Sequence, residues 1–272
     1  MNKVILITGA SSGIGKAGAL KLIQEGYTVY AGARRMDRMQ DLKDAGGFPV
    51  RLDVTSSEDI KSVVDNIIAK EGRIDVLWNN AGFGCYGAID DVPLDDARRV
   101  FEVNLFSMAA LIQMVVPHMR KVKSGTIINT SSMGGKVYVP LGGWYHGSKH
   151  AIEGFSDCLR LELKQFNIKV VILEPGAIGT EFNTVVEEGL KKYSDKSAYT
   201  GLYKKIVGNI RRGTTEGGAS HPSVIADTVS KILKTKKPKT RYAAGKMAKP
   251  SIWLRTYLGD RIFDKVISSQ MK

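Results

Sequence analysis

Residues 4–26 read VILITGASSGIGKAGALKLIQEG: a branched apolar run, a turn holding Gly9, Gly13 and Gly15, then an amphipathic stretch ending at Gly26. A strand feeding a helix through so tight a turn is the first half of a strand–helix–strand unit, whose two strands pair in parallel. The turn also has a chemical meaning. Glycines let the backbone bend sharply, and the free N–H groups and dipole of a helix start attract anions. Ser11 and Ser12 add hydroxyls, and Ile14 completes the turn. The spacing G-x-x-x-G-x-G differs from the commonest dinucleotide fingerprint, G-x-G-x-x-G. Its place between a strand and an amphipathic helix still favours a pyrophosphate seat.

The alternation continues along the chain. Val4–Ile7, Thr28–Ala33, Pro49–Asp53, Asp75–Asn79, Thr126–Thr130 and Lys169–Leu173 read as strands. Gly15–Glu25, Met36–Ala45, Ser57–Lys70, Leu94–Lys121 and Tyr145–Gln165 read as helices. The pattern predicts an α/β fold, a doubly wound parallel sheet with helices on both faces. KVVILEP, apolar on both faces, suits a buried parallel strand. After Gly176 the periodicity weakens until HPSVIADTVSKILK, a helix with Pro222 near its start. Ligands of such sheets bind beyond the carboxyl ends of the strands. Residues 177–220 are therefore expected to form a substrate lid, or else a loop without structure. One domain is expected over 1–245, with a basic amphipathic extension at 246–272.

About 20 residues beyond the glycines, NAD-binding folds place an acid against the ribose hydroxyls. Here YAGARRMDRM puts Arg34 and Arg35 at that place, with Arg34 the one expected to meet the phosphate. Guanidinium groups bind a 2′-phosphate that a carboxylate would repel, so the chain is expected to prefer NADP(H). Asp53 and Val54 follow a strand where an adenine amino group needs an acceptor. Asn80, Ala81 and Gly82 end another, as small residues and an amide suited to lie against a flat cofactor.

TSSMGGKVYVPLGGWYHGSK, residues 130–149, carries a second set of groups. Tyr145 and Lys149 fall on one helix face at i and i+4. A phenol with pKa about 10 is a poor acid or base at neutral pH, and a nearby ammonium lowers that value. Ser132 precedes a glycine-rich return that can bring its hydroxyl to the phenol.

The motifs TGASSGIG, NNAG, VNLF, NTSS, YHGSK and EPGAIGT, in this order, resemble the short-chain dehydrogenase/reductase family over roughly residues 3–180. The resemblance implies a Rossmann-type fold, a nicotinamide cofactor and a catalytic tetrad of Asn104, Ser132, Tyr145 and Lys149. It makes Tyr145 the proton donor to a carbonyl oxygen, with Ser132 hydrogen-bonding that oxygen. Lys149 would lower the phenol pKa and, with Tyr145, contact the cofactor, while Asn104 links Lys149 to solvent protons. Pro175, Gly176, Ile178 and Thr180 match the segment around the nicotinamide. His146 and Trp144 are bulkier than the family's usual residues beside the tyrosine, and are expected to shape the substrate pocket. Trp144, together with Phe83, Cys85, Tyr86, Phe182, Tyr193 and Tyr199, suggests an apolar, steroid- or lipid-like substrate. A softer resemblance points to the branch of hydroxysteroid, retinol and acyl-dihydroxyacetone-phosphate reductases. The family also implies a homo-oligomer, a dimer or tetramer. A non-catalytic dinucleotide sensor on the same fold is the alternative, and is expected to lack the Tyr or the Lys.

Charge bears on partners. The net charge is +13, and residues 231–272 hold 12 Lys/Arg against two acids. That tail solvates the surface or, with Trp253, Tyr257 and Ile262, lies weakly on an anionic membrane. No nucleic-acid module accompanies it. His118, His146, His150 and His221 show no ligand-like spacing, so no metal is expected. The two cysteines, Cys85 and Cys158, and the early Gly9 suggest a reduced, cytoplasmic chain without a leader. No run is expected to be long and apolar enough to span a bilayer.

Overall fold

The computed structural model describes residues 2–195, 197–214 and 218–271. Positions 196 and 215–217 of the expected lid, and Met1 and Lys272 at the chain ends, lie outside the described residues. The strands are β1 Val4–Thr8, β2 Thr28–Ala33, β3 Phe48–Arg51, β4 Val76–Asn79, β5 Gly125–Thr130, β6 Ile168–Pro175 and β7 Arg241–Ala244. They form one parallel sheet in the order β3-β2-β1-β4-β5-β6-β7. The helices are α1 Gly13–Gln24, α2 Gln40–Asp44, α3 Ser57–Glu71, α4 Leu94–Phe101, α5 Ser107–Lys121 and α6 Gly143–Leu163. They continue as α7 Phe182–Ser194, α8 Thr200–Thr214, α9 Ser223–Lys234 and α10 Ala248–Ser269. This is the Rossmann-type, doubly wound α/β sheet that the alternation requires.

Successive strand residues point to opposite faces, and each face has its own core. On one, Leu6, Leu77, Ile127 and Val170 meet Val64 and Ile67 of α3, Leu111 and Val115 of α5, and Ile152 of α6. On the other, Ile5, Ile7, Trp78 and Val171 meet Ala19 and Leu22 of α1 and Ile225 and Val229 of α9. Gly18 sets how closely α1 approaches the sheet, since a Cβ there would lie 2.2 Å from the Trp78 ring. α3 begins on Ser56, which accepts the Asp59 N–H, and ends at left-handed Gly72.

Four differences from the sequence reading have local causes. β7 is only RYAA, too short to show a period, and it is held as an edge strand by pairing with β6. The third strand ends at Arg51, so Asp53 sits in the turn beyond it. The described part of 177–220 contains α7 and α8, whose Val186, Leu190, Tyr203 and Ile206 pack on Ala88 and Leu141. The run 94–121 is interrupted by a π-helical turn at Glu102–Phe106. A window within that 28-residue run is also long and apolar enough by composition to cross a membrane, contrary to the sequence expectation. In the structure one face of it, including Leu111 and Met119, packs into the core against the sheet.

Candidate active site

The strand order reverses around β1 and β4, and the crevice at such a switch point, beyond the carboxyl ends of the strands, is where these sheets bind ligands. Gly9 and Gly13 there have φ of +69° and +55°, a conformation that favours glycine. Thr8, which sequence reasoning passed over, ties the two strand ends together: its Oγ1 accepts the N–H groups of Asn80 and Ala81 at 3.0 and 2.9 Å. Asn80 Nδ2 donates to the Thr8 carbonyl at 3.0 Å, so its amide braces the glycine turn. Gly15 keeps α1 close, because a Cβ would meet the Gly9 carbonyl oxygen at 2.4 Å. Ile14 packs partly buried beside that helix start.

At the adenosine end the two arginines diverge. Arg34 is largely exposed and pairs with Asp53, at 4.0 Å. Arg35 turns toward the glycine turn, donating to Ser12 Oγ at 3.0 Å and to Ser11 Oγ at 3.4 Å. Arg38, which the sequence reading did not single out, donates to Glu181 Oε1 at 2.7 Å, and Arg35 donates to Oε2 of the same carboxylate at 3.4 Å. Thr180 lies over Gly13, where a Cβ would be 3.2 Å from its methyl. Asp53 Oδ1 accepts from the Thr55 N–H and hydroxyl, and the first of these bonds holds its carboxyl below the usual range. Val54 has its side chain in the core, so only its backbone faces outward.

The chemical end gathers at β5, α6 and the π-helical turn. Tyr145 is buried on α6, and burial pushes its phenol up to about 12, against a hydrogen bond from the Ser132 hydroxyl that pulls the other way. Lys149 Nζ donates to the Thr130 carbonyl at 2.9 Å and lies 5.9 Å from the Tyr145 ring centre. Burial brings it down to about 8, with Glu153 pulling it back up. The expected lowering of the phenol by this ammonium is therefore absent from this geometry: burial dominates, and the ammonium is turned to a backbone carbonyl. Asn104 accepts the Phe83 N–H at 3.0 Å and donates to the Phe83 carbonyl at 3.1 Å and Ser148 Oγ at 3.0 Å. Asn104 and Lys149 meet at Gly82, where a Cβ would lie 2.9 Å from Asn104 Oδ1 and 3.6 Å from Lys149 Nζ.

The rings expected around the substrate separate into two groups. Phe182 and Tyr86 flank Tyr145, with ring centres 5.4 and 5.5 Å away. Phe83 and Trp144 pack instead with Phe101 and Tyr193 around Cys85 and Val100. Trp144 also lines an apolar groove with Leu94, Phe101 and Phe106, on the α4 side of α6. His146, expected to shape the pocket, has its ring buried between Gly134 and Val139, inside the loop that precedes α6, with Tyr86 edge-on beside it. Pro175 ends β6, the Gly176 N–H donates to the Ala244 carbonyl at 2.8 Å, and buried Ile178 packs on Gly245. Gly176 is needed for fit, since a Cβ would be 2.1 Å from the Lys246 carbonyl oxygen.

This crevice suits a dinucleotide. A positive-φ glycine turn opens a 12-residue helix, a guanidinium lies across its serine hydroxyls, and small residues line its floor toward the phenol. Residues 3–191 match the family model for short chain dehydrogenases. The chain is 35% identical over 260 residues to a 3-ketodihydrosphingosine reductase of Bacteroides thetaiotaomicron, covering 93% of each. A short-chain dehydrogenase of Streptomyces avermitilis superposes with a TM-score of 0.81 at 32% identity, covering 99% of this chain and 94% of that one. An actinorhodin polyketide ketoreductase variant with NADPH superposes at 0.71 with 30% identity, covering 85% and 90%. Fold, glycine turn and Ser–Tyr–Lys constellation therefore agree, and the chain belongs to the short-chain dehydrogenase family of oxidoreductases.

Proposed function

We propose that the protein is an NADP(H)-dependent carbonyl reductase and alcohol dehydrogenase acting on an apolar, steroid- or lipid-like substrate. The observation that carries this reading is the meeting of Tyr145, Ser132 and Lys149 beneath the Tyr86 and Phe182 rings. When bound, the nicotinamide supplies or accepts a hydride. The glycine turn, Ser11 and Ser12 hold its phosphates, Arg35 and Arg38 take the 2′-phosphate, and Lys149 and Thr180 take the nicotinamide half. Tyr145, protonated at neutral pH, gives its proton to the carbonyl oxygen, and Ser132 donates a hydrogen bond to the same oxygen. Phe182 and Tyr86 exclude water and favour apolar ketones. The ketoreductase with NADPH and the 3-ketodihydrosphingosine reductase support the cofactor and the substrate class.

The apolar groove of Leu94, Phe101, Phe106 and Trp144 supports a homo-oligomer, and two free cysteines suit a reducing, cytoplasmic compartment. A purely cofactor-sensing role is disfavoured because both Tyr145 and Lys149 are present and buried in one site. The test is NADPH consumption with a long-chain 3-ketone, a 3-ketosteroid, phenanthrenequinone and small sugars. Turnover of an apolar member is expected, and Tyr145→Phe should lose it by about a hundredfold or more while still binding NADPH. Near-normal turnover in that variant, or no turnover of any carbonyl by the wild type, overturns the reading.

A further inference from the structure

The loop between Ser132 and Tyr145 is wrapped around one imidazole. His146 is buried, with Nδ1 3.0 Å from the Gly134 carbonyl oxygen, while its Nε2 accepts the Val139 N–H at 3.2 Å. A single neutral tautomer satisfies both contacts, with Nδ1–H donating and the Nε2 lone pair accepting. Two glycines make room for the ring. A Cβ on Gly134 would come within 2.8 Å of Nδ1, and one on Gly142 within 2.5 Å of Cδ2. The far side of the Gly134 residue touches the chemistry, because its N–H donates to Ser132 Oγ at 3.0 Å. With one lone pair of that oxygen occupied, the hydroxyl hydrogen is directed into the site, toward Tyr145.

We propose that His146 is a positioning residue that orients the Ser132 hydroxyl through Gly134, and does so as the neutral Nδ1–H tautomer. The inference rests on reading Ser132 as the hydrogen-bond donor to the reacting oxygen. The titratable groups facing the ring are His150 on the same helix, Tyr145 beside it, and Tyr86 from the segment after β4. Burial holds the imidazole below its ordinary pKa, with the Gly134 carbonyl acting in the opposite direction and His150 in the same one. Protonation would make Nε2 a second donor, facing the Val139 N–H, and release that side of the loop. The loop that carries Gly134 would then shift with Val139, Ser132 would be held less firmly, and activity would fall on the acid side.

The experiment is a double-mutant cycle on kcat, using NADPH and whichever carbonyl compound of the panel above is turned over fastest. His146→Ala is expected to lower kcat about 10- to 100-fold with NADPH binding unchanged. In a Ser132→Ala background the same change should cost less than about twofold, because the two residues act as one unit. His146→Gln, which keeps an acceptor and a donor, should recover most of the loss and remove the acid limb of the pH profile. Equal losses from His146→Ala in both backgrounds overturn the proposal, since a merely structural role would give that result. An unchanged kcat in Ser132→Ala itself would instead overturn the reading of Ser132 on which it rests. Should His146→Ala fail to fold, ¹⁵N NMR of the wild-type imidazole decides. A neutral Nδ1–H ring at pH 7 is expected, and its titration must move the Gly134 amide; an Nε2–H or charged ring overturns the proposal.

Discussion

Tyr145 and Lys149 sit one helical turn apart, yet burial has moved their proton affinities in opposite directions, the phenol up to about 12 and the ammonium down to about 8. Each shift favours the neutral form, as desolvation does. At neutral pH the phenol therefore keeps its proton, and of the two it is Lys149 that titrates first on the alkaline side. The ratio kcat/KM for NADPH reports groups of the free enzyme. In the reductive direction it should fall as pH rises through about 8, as Lys149 loses its charge. A profile level to pH 10 would show that this ammonium is not required. Cofactor choice is likewise expected to depend on which arginine reaches the glycine turn. Arg35 lies on Ser11 and Ser12, whereas Arg34 points to Asp53. One charge-assisted hydrogen bond contributes about 1.5–3 kcal/mol. Arg35→Ala should thus reduce any preference for NADPH over NADH by roughly tenfold or more, and Arg34→Ala should change it less. Glu181→Gln, by freeing Arg35 and Arg38, should tighten NADPH binding measured by fluorescence. The sequence made an arginine pair visible at this place, because residue type and distance from the glycines suffice for that. Which member reaches the turn depends on side-chain direction at the strand end, which no local pattern encodes.

Elements were legible where a period had room to repeat. β1, β2, α1 and α3 follow from alternation and capping, and the Ser–Tyr–Lys set follows from spacing along β5 and α6. β7, four residues long, and helices α7 and α8 were not legible, because their form depends on what they pack against. The π-helical turn was hidden too: Glu102–Phe106 reads as ordinary helix, yet Asn104 at its centre bonds both backbone groups of Phe83. Packing between elements makes further predictions. Gly18→Ala would drive a methyl into Trp78, and overpacking of this kind costs about 1–3 kcal/mol, more than the ~1 kcal/mol gained in helix propensity. A lower Tm is expected, and an unchanged one would mean that α1 can shift. β7 also brings Arg241 to a buried acidic group, 3.0 Å from Glu153 and 3.6 Å from Glu174. Burial, helped by Glu153, raises the Glu174 carboxyl from 4.5 to about 7. A folded state that holds a proton more tightly than the unfolded chain has that advantage in full below pH 4.5. It loses the advantage as pH climbs through about 7. Urea midpoints should therefore show Glu174→Gln gaining on the wild type between pH 5 and 8; a constant difference would mean that Glu174 stays charged throughout.

At the scale of the whole molecule, the C-terminal extension is where the basic surface and the active-site loop meet. α10 bends at Gly259, and its second half buries Phe263 against Tyr138, with ring centres 5.1 Å apart. The Tyr138 hydroxyl donates to Asp264 at 2.9 Å, and the Arg255 guanidinium lies 5.4 Å from the same ring. Tyr138 belongs to the loop between Ser132 and Tyr145, so the extension braces the segment that links those two residues. Met271 packs beside the cluster of α7 and α8, extending that brace to those helices. Truncation after Lys249 should therefore do more than change solubility. It removes the support of Tyr138 but no group that touches the reacting oxygen, so KM for an apolar ketone should rise about tenfold or more while kcat for a small carbonyl changes little. The outer face has a separate consequence. Trp253, Tyr257, Leu258 and Ile262 are exposed there, alongside Lys249, Arg261 and Lys265. A basic residue near an anionic bilayer contributes about 1 kcal/mol, and an amphipathic helix adds apolar burial. Weak flotation of the full chain with phosphatidylserine vesicles is expected at low salt, lost at high salt and lost on truncation, with Trp253 fluorescence shifting to the blue on binding. If truncation raises KM while the full chain never floats, the extension serves the loop alone; if neither changes, α10 is only surface.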